Sequence, residues 1–121
     1  MQKSVNLAPQ DAEAHYNLGV TLQELQRLHE AADSYIQAIE LKPDHAEVHS
    51  NLGVTLHTLG KLDEAVDSYT QAIALKPDAA RAHCNLGVTL QELGRLDEAL
   101  ASFDQAISLK PDYVAAYWNL L

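Results

Sequence analysis

The sequence predicts an all-α solenoid of 34-residue helix–turn–helix repeats, stacked as antiparallel helix pairs. Three observations carry this expectation. The hexapeptide NLGVTL occurs at 17–22, 51–56 and 85–90, each copy 34 residues after the last. Pro9, Pro43, Pro77 and Pro111 keep the same spacing. Between them, apolar residues recur at steps of three and four, the period of one helix face.

The first repeat sets the pattern. Helix A is expected from about Ala12 to Leu25, with Ala14, Leu18, Leu22 and Leu25 on one apolar face. A turn follows at 26–28. Later copies place Gly60 and Gly94 there, as a left-handed residue after a helix requires. Helix B starts near His29 and turns Ala31, Tyr35, Ala38 and Ile39 to one side. Asp63–Glu64 and Asp97–Glu98 open the later B helices with N-cap and first-turn chemistry. Pro43, Pro77 and Pro111 end each cycle, because proline cannot continue a helix. Asp44 to Glu47 has capping-box spacing and is expected to start the next helix A.

Repeats therefore span 12–45, 46–79 and 80–113. Residues 1–11 read as the end of a preceding helix B, and 114–121 as the start of a further helix A. On this reading, Tyr117, Trp118, Leu120 and Leu121 leave apolar groups without a covering helix, so association of terminal helices into a homo-oligomer is expected.

Composition narrows the function. A formal net charge of −9 argues against a nucleic-acid or anionic-lipid surface and favours neutral or basic partners. No apolar run approaches the ~18 residues of a membrane span. The N-terminal MQKSVNLAPQ lacks the apolar segment of a signal peptide. The single cysteine, Cys84, allows no internal disulfide, which together point to a reducing, cytoplasmic setting.

The residue pattern resembles the tetratricopeptide repeat family along the whole chain. With Ala12 as position 1, Leu18–Gly19, Ala31, Tyr35, Ala38 and Pro43 fall where that family places leucine–glycine, alanine, aromatic, alanine and proline. Leu52–Gly53, Ala65, Tyr69, Ala72 and Pro77 repeat the match, as do Leu86–Gly87, Ala99, Phe103, Ala106 and Pro111. Departures are His15, His49 and His83 at position 4, Leu22, Leu56 and Leu90 at position 11, and Gln26 and His29 in the first turn. The first turn should be the least well specified. The resemblance implies a right-handed superhelix with the A helices on its concave side.

Small residues Gly19, Gly53 and Gly87, with Ala31, Ala65 and Ala99, are expected to let helices A and B approach closely. Asn17, Asn51, Asn85 and Asn119 lie about 100° around helix A from the core leucines. They share a stripe with Glu13, Val20 and Glu24, with Glu47 and Val54, and with Arg81, Val88 and Glu92. A repeated Asn there resembles the asparagine ladder of O-linked N-acetylglucosamine transferases, which implies binding of an extended peptide main chain. An amide both donates and accepts. Packed helices lie ~8–10 Å apart, and an extended chain advances ~3.3 Å per residue. One Asn would meet roughly every third residue. The alternative is that Asn bonds its own helix or ties repeats together.

Position by position, only Arg81 is basic on the groove face, so the carboxylate clamp of some members of the family is not expected. His45 and His49 lie four apart but lack further ligands, and neighbouring repeats hold His15, His49 and His83 too far apart to share an ion. No metal, cofactor or catalytic constellation is expected, and Cys84 sits at a groove position without an activating partner. The leading reading is a non-enzymatic protein-interaction module. A substrate-presenting arm of a larger enzyme such as a glycosyltransferase, and a self-assembling array, are the alternatives.

Overall fold

A computed structural model describes residues 11–112. Asn119, Pro9 and the apolar cluster at 117–121 lie outside the described residues. Within them the chain forms six α-helices and no strand. They are α1 (Ala12–Glu24), α2 (Leu28–Leu41), α3 (Ala46–Thr58), α4 (Leu62–Leu75), α5 (Ala80–Glu92) and α6 (Leu96–Leu109). Odd-numbered helices are the A helices and even-numbered ones the B helices.

Each A helix pairs with the B helix that follows, and each B helix packs on the next A helix. Consecutive A helices also approach each other directly, more than consecutive B helices do. The stack therefore curves with α1, α3 and α5 on its inner side.

The helix starts differ from expectation. Position N-cap is Asp11, His45 and Ala79 in the three A helices. Only Asp11 caps with its side chain, accepting from the backbone N–H of Glu13 at 3.0 Å and Ala14 at 3.3 Å. Asp44 lies one residue outside, so the expected capping box does not form. The B helices begin one residue earlier than the acids suggest, after Arg27, Lys61 and Arg95, so Asp63 and Asp97 are first-turn residues rather than caps. There they still complement the positive end of the helix dipole. Arg27 and Arg95 instead reach forward to Glu30 and Glu98 in exposed bidentate pairs.

All three A–B turns have one geometry. Gln26, Gly60 and Gly94 are left-handed, at φ 65°, 84° and 82°. Arg27 N–H donates to Leu22 O at 2.9 Å, Lys61 to Leu56 at 2.8 Å and Arg95 to Leu90 at 2.9 Å, closing each helix with a Schellman motif. The first turn is thus as well formed as the others, with Gln26 carrying the strain that glycine avoids.

The glycines make room for rings rather than for the facing alanines. A Cβ added to Gly19 would stand 2.6 Å from the Tyr35 ring; at Gly53 it would meet Tyr69 at 2.7 Å, and at Gly87 Phe103 at 2.7 Å. Ala31, Ala65 and Ala99 are buried beside them. Burying a large apolar side chain contributes about 1.5–3 kcal/mol, which outweighs the ~1 kcal/mol that helical Gly costs relative to Ala. The leucines of the predicted apolar face divide. Leu22 and Leu52 are buried, whereas Leu18 and Leu25 are 49% and 60% exposed. Leu52 is covered because it lies between two hairpins; Leu18 is on the outer side of the first, and Leu25 is already in the turn.

Two of the three position-4 histidines tie down the loops before their helices. His49 donates from Nε2 to the Pro43 carbonyl at 2.9 Å, and His83 to the Pro77 carbonyl at 3.0 Å. His15 differs: its Nε2 is buried with no hydrogen-bond partner among the described residues.

Candidate functional site

Helices α1, α3 and α5 approach one another along one side of the stack, the face on which the sequence places a binding groove. The NLGVTL hexapeptide sits in the middle of each, and its residues divide by face. Gly and the second Leu turn to the hairpin core. Thr55 and Thr89 are fully buried and donate to the Asn51 and Asn85 carbonyls one turn earlier, at 3.0 and 2.9 Å. Val20, Val54 and Val88 are half-buried and brace the core from the groove side. Glu13 and Glu24 are exposed on α1.

The three described asparagines of the ladder are not equivalent. Asn17 is exposed, while Asn51 and Asn85 are half-buried at the seams between repeats. Asn51 Nδ2 donates to the Tyr16 hydroxyl oxygen at 3.2 Å, joining α3 to α1. Among the described residues no side chain hydrogen-bonds the Asn85 amide. The difference lies at position 5, which holds Tyr16, then Ser50, then Cys84. Only the tyrosine is long enough to reach the next asparagine. Cys84 is itself 2% exposed, and burial pushes its thiol upward, so it is not reachable from the groove as its position suggested.

Tyr16 belongs to a small aromatic group. Its ring centroid lies 6.1 Å from that of Tyr35 and 5.4 Å from that of His45, tilted in both cases. Burial raises the Tyr16 phenol above its ordinary value, and the nearby Glu47 carboxylate raises it further. Tyr35 donates its hydroxyl to Gln23 Oε1 at 2.6 Å. Burial chiefly, then the Tyr16 phenol, pushes Tyr35 up to about 12. Burial also raises Tyr69, against the opposing effect of the Arg81 guanidinium nearby.

The second seam contains a hollow of about 260 Å³. Glu47, Ser50 and Asn51 of α3, Lys76, and Arg81 with small alanines line it. Glu47, Lys76 and Arg81 form no ion pair among the described residues. At the far end of α3, His57 Nε2 lies 2.9 Å from Glu92 Oε1 and His57 Nδ1 lies 3.3 Å from Thr89 Oγ1, linking α3 to α5. Tyr16, Ser50 and the His57–Glu92 pair are not repeated in every copy, so the periodicity does not reveal them; Lys76 recurs as Lys42 and Lys110 but lies outside the helix-A stripe. Among the described residues no three His, Cys, Asp or Glu side chains gather to hold a metal ion, and no helix is long and apolar enough to cross a membrane.

Sequence models of the tetratricopeptide repeat match residues 1–33, 22–60, 55–94 and 80–113. The chain is a member of the tetratricopeptide repeat family. No curated protein matches it at a significant level. Among solved structures, MamA superposes with a TM-score of 0.88 at 28% identity, over 90% of this chain and 64% of MamA. YrrB, described as a tetratricopeptide repeat protein with an unusual peptide-binding site, superposes with a TM-score of 0.86 at 29% identity, over 90% of this chain and 56% of YrrB. The chain thus spans less than two thirds of either protein. The first repeat domain of Spaghetti (RPAP3), solved with the HSP90 peptide SRMEEVD, shares the fold at 22% identity, with a TM-score of 0.89 over 92% of this chain and 88% of that one. As a tetratricopeptide array the chain has the all-α solenoid architecture of these neighbours.

Proposed function

We propose that this tetratricopeptide array is a non-enzymatic interaction module that holds an extended peptide segment along the groove face of α1, α3 and α5. One observation carries the reading. Asn85 stands half-buried on that face with its amide unclaimed by any described side chain, while Asn51 of the neighbouring helix lines the hollow of about 260 Å³ at the same seam. A half-buried amide that no described side chain claims favours a ligand that supplies a carbonyl and an N–H. Asn17 and Asn51 extend the line, and Asn119 would continue it. Val20, Val54 and Val88 offer apolar surface between them, and Arg81 borders the hollow.

Glu13, Glu24 and Glu47 favour neutral or basic segments over acidic ones, as does the overall charge. The peptide-binding site of YrrB, a fold neighbour at 29% identity, is in keeping with this use of the scaffold. The test is Asn85→Ala and Asn17→Ala, scored for binding to a library of capped extended peptides. Affinity is expected to fall about threefold to tenfold for each, one neutral hydrogen bond's worth. Unchanged affinity with an intact circular-dichroism spectrum removes the ladder role.

A second reading rests on exposed apolar residues. Leu100 occupies the position of Val66, which packs against the third repeat, yet Leu100 is 51% exposed and Leu96 63%. Leu18, equivalent to buried Leu52, is 49% exposed. These surfaces suit head-to-tail stacking of copies. Sedimentation across a wide concentration range decides it: a strict monomer at high concentration counts against stacking.

A further inference from the structure

The first seam of the groove has a chemistry that the asparagine ladder does not use. Tyr16 offers a half-buried ring. The rings of Tyr35 and His45 flank it at 6.1 and 5.4 Å, both tilted rather than stacked. Asn51 donates to its hydroxyl and so fixes its orientation. Beside it stands Glu47, exposed and without an ion-pair partner among the described residues. Glu47 lies one turn before Asn51 on the same face of α3, and Asn51 touches the Tyr16 hydroxyl, which puts the carboxylate beside the ring's polar tip.

Among the described residues no lysine or arginine forms an ion pair with Glu47. Arg27 and Arg95 are committed to Glu30 and Glu98. Lys76 and Arg81 border the hollow on which Glu47 also opens, but neither pairs with it, and neither Tyr16 nor His45 lines that hollow. An aromatic face presents negative quadrupole charge, and a carboxylate adds a full one. Together they favour a cation, and a flat guanidinium can lie on a ring while donating to a carboxylate.

We propose that the aromatic–carboxylate corner formed by Tyr16, His45 and Glu47 is a subsite for a basic side chain, arginine above all, of the bound peptide. The subsite rests on the peptide-groove reading and gives it a sequence preference: one basic residue, placed at the seam of the first two repeats. Arginine outranks lysine here because only the guanidinium both stacks and donates in a plane.

The probe is N-acetyl-arginine amide, with its neutral isostere N-acetyl-citrulline amide as the control. Both are titrated into the whole chain by NMR. The Tyr16 ring and the backbone amides of His45 and Glu47 report. The arginine probe is expected to shift them saturably, and the citrulline probe to bind about three- to tenfold more weakly. Glu47→Gln and Tyr16→Leu should each weaken arginine about three- to fivefold. Tyr16→Phe should retain it, which separates loss of the ring from loss of the fold. Arg81→Gln, which removes a competing cation, should leave arginine binding unchanged or stronger. Equal binding of arginine and citrulline, or non-saturating shifts spread over all the acids, overturns the proposal. If a neutral extended peptide still loses affinity with Asn85→Ala in that event, the groove reading stands without the subsite.

Discussion

The Asn51 amide donates to the Tyr16 hydroxyl at 3.2 Å, across the seam between the first and second repeats. The bond does two things at once. It holds α3 against α1, and it engages the Asn51 amide, whereas no described side chain bonds the Asn85 amide at the next seam. A neutral side-chain bond of this kind contributes about 0.5–1.5 kcal/mol. Asn51→Ala and Tyr16→Phe should therefore each lower unfolding stability by about 1 kcal/mol, and the double variant by less than their sum. Asn85→Ala, with no such partner, should stay within about 0.5 kcal/mol of the parent. Urea denaturation of the parent and the four variants measures each of these losses and the coupling. Additive losses at residues 16 and 51 would show that the bond carries no coupling.

Gln26 holds φ at 65°, in the place where Gly60 and Gly94 sit at 84° and 82°. The Schellman bonds of the three turns match, so the only difference is the side chain. A left-handed residue with a Cβ costs roughly 1–2 kcal/mol. Gln26→Gly should stabilise the array by about 1 kcal/mol, reduced by the extra freedom that glycine adds to the unfolded chain. Gly60→Ala should destabilise by a similar amount, although an added Cβ there meets nothing within 4 Å. Thermal unfolding of the pair separates backbone strain from packing, because neither substitution touches the core.

The repeat was legible because it is written three times: each glycine, proline and helix face is fixed by spacing alone. What the glycines face was less so. Ala31 and Tyr35 lie one turn apart on the same side of α2, and periodicity does not say which of them meets Gly19. The start of the second A helix slipped by a residue because His45 stands at the cap without a capping side chain, and the acid beside it, Asp44, has the chemistry of a cap. The Asn51–Tyr16 bond spans 35 residues, one more than the repeat, so it depends on how far one hairpin turns against the next. That angle is set by packing across seams. The same holds for His57 and Glu92, also 35 apart, and for the corner that Tyr16 makes with His45 and Glu47. The placing of Asn17, Asn51 and Asn85 on the A helices followed from the spacing, while their unequal surroundings did not.

Gly53 shows how tightly the ring and the helix are matched. Its absent Cβ would lie 2.7 Å from the Tyr69 ring, which is itself only 1% exposed. Gly53→Ala gains about 1 kcal/mol in helix propensity. The clash forces α3 and α4 apart at a cost of about 1–3 kcal/mol. The net expectation is destabilisation by about 1 kcal/mol, despite the better helix former. Adding Tyr69→Leu to Gly53→Ala should recover part of that loss, since the shorter side chain leaves room for the methyl group. Chemical denaturation tests the sign. A stabilised Gly53→Ala would mean that the ring moves freely.

Alkaline pH probes the buried phenols directly. Tyr35 is pushed up to about 12 in the folded chain, mainly by burial, while an unfolded tyrosine ionises near ~10. Between those values the folded state keeps a proton that the unfolded state has lost. The unfolded chain then binds fewer protons, so stability falls as pH rises. The contribution is fully present below about pH 10 and is lost progressively toward the folded value. Tyr69, raised by burial in the same way, adds to the slope. Denaturation midpoints should thus be flat through the neutral range and decline steeply above about pH 10. Tyr35→Phe removes one of the groups and should flatten that decline. Its own cost, from the lost bond to Gln23, should be about 1 kcal/mol at neutral pH. Tyrosinate absorbance followed in parallel shows whether the buried phenols ionise with unfolding, as this account requires, or ahead of it.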